Sequence, residues 1–424
     1  MTAMRVACWL MIVAVAVSLG GSHVAPVLAA GDDTIPVGVI LPLTGALAQT
    51  GASLRVGAEL AADLVNGHVS YPLPAVGKNG IPSQHKRIRL IIADSQGKND
   101  QAASVAQQLI TQDHVVAILG AYASSSTATA SQVAERAGIP FICEDATASN
   151  LTTRGYKWFF RPTPHDGTFA ENLFQFMDAV KKTKKVDFKK IAIVHEDGLF
   201  GTGSADAESA DATKLGYTVV ANIAYSATTT DVSAEVQKIK VAAPDVLMIT
   251  SYLPDSLLFM RALKDQDVPL KAIIAQDAGF IDPNFVKTLG PGADNVFTRE
   301  VFSLNIKNRN QSVPLIDQLY RQRFGGKALD GNSAREIMGV LVLADALDRT
   351  KSTDPEAIRV ALSKTNIPGD RTLMPWKSIT FGSDGQNNGG AGIVEQIQDG
   401  VYQTVWPFDV SVKPVIWPMP AWKH

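Results

Sequence analysis

With 424 residues, 46% of them hydrophobic and 19% charged, the chain has the make-up of a globular protein too long for one compact core, so two domains are expected. Its 39 basic and 41 acidic residues leave a formal net charge of −2, which excludes the basic footprint of a protein that binds nucleic acid or an anionic membrane.

The first thirty residues stand apart. Arg5 is their only charge, an apolar run follows from Val6 to Leu19, and the segment ends in Val27-Leu28-Ala29-Ala30. This is the layout of a cleavable secretory signal, and the apolar run is shorter than the roughly 20 residues of a spanning helix. A periplasmic location follows as an expectation. Loss of Arg5 moves the net charge from −2 to −3. Cys8 leaves with the segment; it opens the apolar core rather than following it, which argues against a lipid anchor. Cys143 then has no partner for an intramolecular disulfide.

From Ile35 onward, apolar strand-like runs alternate with amphipathic helical stretches, the signature of α/β architecture with a parallel sheet covered on both faces. Strands are predicted at Ile35–Leu41, Ile88–Ala93, Val115–Leu119 and Pro140–Cys143. Helices are predicted at Ser53–Asn66, Asn99–Asp113 and Thr127–Ala137. Residues 67–86, rich in proline and glycine, read as a surface insertion.

A second set repeats the pattern, with strands at Ile191–His195, Thr218–Tyr225, Val246–Thr250 and Lys271–Ala275. Helices separate them at Thr202–Leu215, Val232–Ala242 and Pro254–Gln266. Two successive lobes of one topology place a cleft between them. After Asn295 the pattern turns helical, with Ser333–Arg349 the most periodic stretch and Asp354 capping a helix that opens on Pro355. The end of the chain predicts a hairpin of Ser378–Phe381 with Ile393–Gln398, then a strand at Val401–Val405.

Two segments carry the chemistry. Residues 115–127, VVAILGAYASSST, and 139–151, IPFICEDATASNL, each run from an apolar strand into small hydroxylated residues. Such a junction offers N–H and O–H donors at the carboxyl edge of a sheet, where open α/β folds bind ligands. Ser124, Ser125 and Ser126 precede a helix, whose amino terminus favours a carboxylate; the same serines also suit a plain helix cap. Thr147 lies in a loop of small polar residues that could equally be a solvated turn. Asp277 follows a strand, from which an acid can reach a cleft.

Three other motifs read as structure. GLFGTG at 198–203 has the wrong spacing for a dinucleotide fingerprint. Asp384 to Gly389 with Glu395 approaches a calcium loop but is flanked by strands. His195-Glu196-Asp197 lacks the spacing of a metal or acid–base pair. No cofactor or metal is expected. A serine hydrolase using Ser124 and His195 remains as an alternative, without the G-x-S-x-G elbow.

Together with residues 35–51 (IPVGVILPLTGALAQTG), 154–164 (RGYKWFFRPTP) and 191–203 (IAIVHEDGLFGTG), the two segments resemble the branched-chain amino-acid (Leu/Ile/Val) binding proteins of bacterial ABC importers. The resemblance implies a type I periplasmic binding fold, with two doubly wound parallel-sheet lobes joined by three crossovers near Arg161, Phe297 and Trp376. Lobe 1 would hold residues 31–161 and 298–376, and lobe 2 residues 162–297 and 377–424. It implies a monomeric receptor, without enzymatic activity, that closes over a small ligand and delivers it to membrane permease and ATPase subunits.

Carried over by position, the ligand carboxylate would meet Ser124, the adjoining Ser125 and Thr147. The ammonium would meet the Asp145 carbonyl beside Ala146, the Thr147 hydroxyl and an acid at Asp277. Phe200 and Tyr252 would close the cleft, and Thr50 stands where the family often has an aromatic residue. Branched-chain amino acids are the ligand that the resemblance favours. Aromatic acids, amides and urea are bound elsewhere in the family, and a ligand-sensing regulator is a further alternative on the same fold.

Overall fold

A computed structural model of the chain describes residues 33–67, 73, 74 and 79–422. The expected signal segment and part of the 67–86 insertion lie outside these residues. Among the described residues, no helix is long and apolar enough to cross a membrane.

The first five strands are β1 (Thr34–Leu41), β2 (Arg87–Asp94), β3 (Ile118–Gly120), β4 (Phe141–Ile142) and β5 (Phe159–Phe160), with helices α1 (Ala48–Val65), α2 (Asn99–Thr111) and α3 (Ser124–Ala137) between them. They form one sheet, all parallel, in the order β2-β1-β3-β4-β5.

After α4 (Asp166–Lys184) come β6 (Lys190–Glu196), α5 (Leu199–Lys214), β7 (Thr218–Tyr225), α6 (Ser233–Ala242), β8 (Val246–Thr250), α7 (Leu253–Asp265), β9 (Ala272–Ala275), α8 (Pro283–Leu289) and β10 (Phe297–Glu300). These strands give the same parallel order again, β7-β6-β8-β9-β10. The duplication expected from the pattern is therefore one of topology. Each sheet reverses its strand order between its first and third strands, which opens a crevice there.

Side-chain alternation explains why both sheets are covered on both faces. In β1, Ile35, Val37, Val39 and Leu41 join the core shared with α1, whereas Ile40 turns to the core formed with α2 and α3. In the second sheet Ala192 and Val194 face one core, while Ile191 and Ile193 face the other. Such two-sided burial turns strands into continuous apolar runs.

The remaining elements are α9 (Val313–Arg323), α10 (Gly331–Thr350), α11 (Pro355–Ser363), β11 (Asn366–Pro368), β12 (Ser378–Thr380), β13 (Ile393–Gln398) and β14 (Val401–Trp406). Residues of α10 and α11, with Ile367 and Ile379, pack into the β1 core. β13 and β14 extend the second sheet, β13 antiparallel to β10.

This corrects the predicted C-terminal hairpin. β12 pairs with β11, and the hairpin is β13 with β14. The Asp384–Gly389 stretch packs instead against residues 161–164: Asn387 donates from its backbone to the Arg161 carbonyl (3.0 Å), and Gln386 Nε2 donates to the Thr163 carbonyl (2.8 Å). Among the described residues no cluster of acids, histidines or cysteines suits a metal ion.

Two helices that open on the strand ends start earlier than the sequence predicts. α3 begins at Ser124 rather than Thr127 and α5 at Leu199 rather than Thr202, because Ser124–Ser126 and Leu199–Gly201 already adopt helical geometry. The Asp354 cap is as expected, its Oδ1 accepting from the Ala357 N–H at 2.9 Å. Asp354→Ala should lower stability by about 1 kcal/mol, the usual loss for such a cap, measured by urea unfolding.

Candidate functional site

The two crevices face each other across a small cavity. Strand ends position its lining. Tyr122 and Ser124 follow β3, Asp145, Ala146 and Thr147 follow β4, and Phe200, Tyr252 and Asp277 follow β6, β8 and β9. Seven of the residues expected from the sequence thus line one space.

Ser125 and Thr50 are not in the lining. Ser125 Oγ accepts from the Leu199 N–H of α5 at 3.1 Å, and Thr50 Oγ1 donates to Asp282 Oδ2 at 2.9 Å. Each joins an element of the first sheet to one of the second, so both act as clasps across the cleft.

The serines at the start of α3 are free of capping duty. The N-cap is Ala123 and no side chain caps the helix. Ser124 Oγ accepts from the Ala148 N–H at 3.3 Å, which ties the two opening loops together, and its own proton remains available to donate. The first-turn N–H groups of a helix lack intrahelical acceptors, and here they open beside the cavity.

Behind the Ala146–Ala148 loop sits Arg161, fully buried. Its guanidinium donates to the carbonyls of Ala146 (3.2 Å) and Ala148 (2.8 Å) and to Gln386 Oε1 (2.7 Å). Carbonyls held from behind turn the opposite edge of the loop to the cleft.

Aromatic rings form the wall. Tyr122 and Tyr252 lie 6.1 Å apart by ring centroid, and Tyr252 and Phe200 5.6 Å apart, so the row spans both sides. Tyr122, Asp277 and Ala278 have φ of 69°, 69° and 48°. Such left-handed backbone at three non-glycine residues is the strain that clusters at ligand sites.

The sequence reading missed Ala278, Tyr122, Asn332 and two arginines, Arg299 of β10 and Arg335 of α10. Arg335 pairs with Asp145 (2.7 Å), Asp277 (3.0 Å) and Glu300 (3.3 Å), and Asn332 Oδ1 accepts from its Nη2 at 2.6 Å. Arg299 pairs with Asp277 as well and donates from its Nε to Gln276 Oε1 at 3.0 Å. Asp277 is therefore already held by two guanidiniums and by its own neighbour's N–H, from Ala278. Burial raises Asp145 to about 7 even with Arg335 beside it. One signal in the sequence pointed here: Arg335-Glu336 interrupts a helix that is buried from Gly331 to Ala344. A charged pair at core positions needs partners.

His195, offered as a base for Ser124, turns its Nδ1 to the Glu196 carbonyl at 2.9 Å and does not line the cavity.

A sequence model of the family described as periplasmic binding protein matches residues 34–400. A Leu/Ile/Val-binding protein homolog 7 of Brucella suis biovar 1 (strain 1330) is 29% identical over 396 residues, covering 90% of this chain and 93% of that protein. A homolog 8 of Brucella abortus (strain 2308) is 29% identical over 401 residues, covering 93% and 96%. Among solved structures, the branched-chain amino acid transporter substrate binding protein LivJ of Streptococcus pneumoniae, in complex with isoleucine, superposes with a TM-score of 0.72 at 22% identity, covering 91% of this chain and 100% of that one. A solute binding protein of an ABC transporter from Rhodopseudomonas palustris BisB5, in complex with 3,4-dihydroxybenzoic acid, gives 0.72 at 20%, covering 92% and 98%. The fold is the type I periplasmic binding fold expected from the sequence.

Proposed function

Because the chain belongs to the periplasmic binding protein family, a family of solute-binding proteins, we propose that it is the substrate-binding component of an ABC importer, capturing an amino acid or related small carboxylate between its two sheets. The observation that carries this reading is the donor-rich junction of β3 with α3, which meets the Ala146–Thr147 loop under a wall of aromatic rings. A carboxylate gains there from helix N–H groups and from the Ser124 hydroxyl.

The mechanism is a shift in population. A ligand that touches both halves binds the closed arrangement more tightly and stabilises it, and the closed form is what membrane permease subunits would read. The clasps of Ser125 with Leu199 and Thr50 with Asp282 belong to that closed form. Lobe 1 is taken as residues 34–161 and 301–380, and lobe 2 as residues 162–300 and 381–422. This choice keeps Glu300 with its partner strand β13 and Ile379 with the β1 core. The signal segment at residues 1–30 would direct the chain to the periplasm, where it would act as a monomer.

A thermal-shift screen tests the reading, since a ligand at 100 times its Kd adds about 2.7 kcal/mol of stability. The panel should hold amino acids, aromatic acids, amides and urea. Carboxylates should stabilise the protein, and Ser124→Ala should weaken the best of them by roughly 10-fold or more, the equivalent of one charge-assisted hydrogen bond. Stabilisation by amides or urea alone would assign the α3 junction to another ligand.

A further inference from the structure

Arg299 has a place in the cavity that the carboxylate-binding junction does not use. Its guanidinium is fixed on three sides: Nε donates to Gln276 Oε1 at 3.0 Å, Nη1 pairs with Asp277, and the plane lies over the Phe169 ring at 3.6 Å. The side chain is 1% exposed and lines the cavity, and its Nη2 has no hydrogen-bond partner among the described residues. A buried N–H donor left empty costs the protein its desolvation, so a group this well held and still unsatisfied is built to receive something. Asp166, Glu208 and Glu300 also feel its charge, and among the described residues no ion pair joins it to any of the three.

The two acids that line the cavity, Asp145 and Asp277, already hold cations. Asp277 takes two guanidiniums on one oxygen and the Ala278 N–H on the other. Asp145 gives Oδ1 to Arg335, and Glu300 gives Oε1 to Arg335 and to the Val301 N–H. The open oxygen of Glu300 lies against Gly331, outside the cavity lining. A ligand ammonium arriving at Asp277 would have to displace a guanidinium and then sit against two more positive charges than a lone acid would offer it.

Building on the receptor reading above, we infer that the ligand carries two acidic ends, one carboxylate at the α3 junction and a second paired with Arg299, so that the substrate class is short dicarboxylates. Whether such a ligand also bears an α-ammonium, as acidic amino acids do, leaves the Arg299 contact unchanged. A planar guanidinium suits a carboxylate better than a lysine would, because its N–H groups lie in one fork.

Titration calorimetry on the purified chain with succinate, glutarate, L-glutamate, L-leucine and benzoate tests this. One of the first three should bind at least 10-fold more tightly than L-leucine and benzoate. Arg299→Gln should weaken that ligand 30-fold or more, with less than 3-fold effect on any monocarboxylate that binds, and Arg299→Lys should recover part of the loss. Glutarate against L-glutamate tells the plain diacid from the amino diacid. Should Arg299→Gln fail to fold, the ranking of ligands on the unsubstituted protein decides. L-Leucine or benzoate binding more tightly than every diacid overturns the inference and leaves the receptor reading standing; binding of no carboxylate at all overturns both.

Discussion

Arg335→Met is expected to destabilise the protein by about 3–5 kcal/mol, the usual result of removing one partner from a buried ion pair. The guanidinium is 2% exposed and serves Asp145, Asp277 and Glu300 at once. Methionine of similar length fills the space but leaves three buried carboxyls with Arg299 as the remaining cation. The loss should show as a lower urea midpoint near neutral pH and should shrink in acid, where Asp145 and Glu300, both raised by burial, take up protons and no longer need a counter-charge. Arg335→Lys should recover part of it, since a single ammonium cannot reach all three acids. A loss below about 1 kcal/mol would mean that water screens the cluster, the behaviour of exposed pairs.

The second large effect concerns Glu144 and Glu336, which face each other behind the cavity between the end of β4 and α10. Burial raises Glu144 from an ordinary 4.5 to about 8, although the Gly120 N–H donates to its Oε2 at 3.2 Å. Glu336 is pushed well above the ordinary value by burial and by the charge of Glu144, so the pair holds a proton near neutral pH. The folded protein then holds protons that the unfolded chain releases. The stability these acids contribute is complete below the ordinary carboxyl value near 4.5 and is lost as the pH rises through about 8.

Glu336→Gln keeps a donor for Glu144 and removes that titration. It should leave stability near pH 5 almost unchanged and raise it by on the order of 2 kcal/mol at pH 8.5, because each unit of displaced pKa is worth 1.36 kcal/mol. Urea unfolding of both proteins across that range is the measurement. Parallel curves for the two proteins would show that the pair shares no proton.

Much of the fold is legible in the sequence because it rests on local repetition. The alternation of Ile35, Val37, Val39 and Leu41, and the runs around Ile191 and Val246, mark parallel strands from their own periodicity. Asp354 before Pro355 marks a helix start for a reason contained in four residues. The junctions at Ser124 and Thr147 stand out for the same cause, an apolar run breaking into hydroxylated residues. Where the reading failed, the deciding contact was distant. Ser378–Phe381 has the pattern of a hairpin strand, yet its partner is Asn366–Pro368, and nothing within the segment names which strand it joins. Ser125 and Thr50 look like site residues beside Ser124, but their partners Leu199 and Asp282 come from the other sheet.

The sequence by itself determined the α/β class, the doubled topology and the lobe 1 half of the cleft, since each follows from side-chain period and from the chemistry of a strand end. Only the tertiary structure decided the charge of the other half. Thr298-Arg299-Glu300 lies just past an expected crossover near Phe297, and Arg335 within a long periodic helix, and neither arginine stands among the expected site residues. Folding buries both arginines and brings Asp145 and Asp277 to Arg335 across 190 and 58 residues, so that the acid expected to meet an ammonium is paired with two guanidiniums and one Arg299 N–H group stays unpartnered. The cost of burying a charge depends on which partners surround it, and that is a property of the assembled molecule.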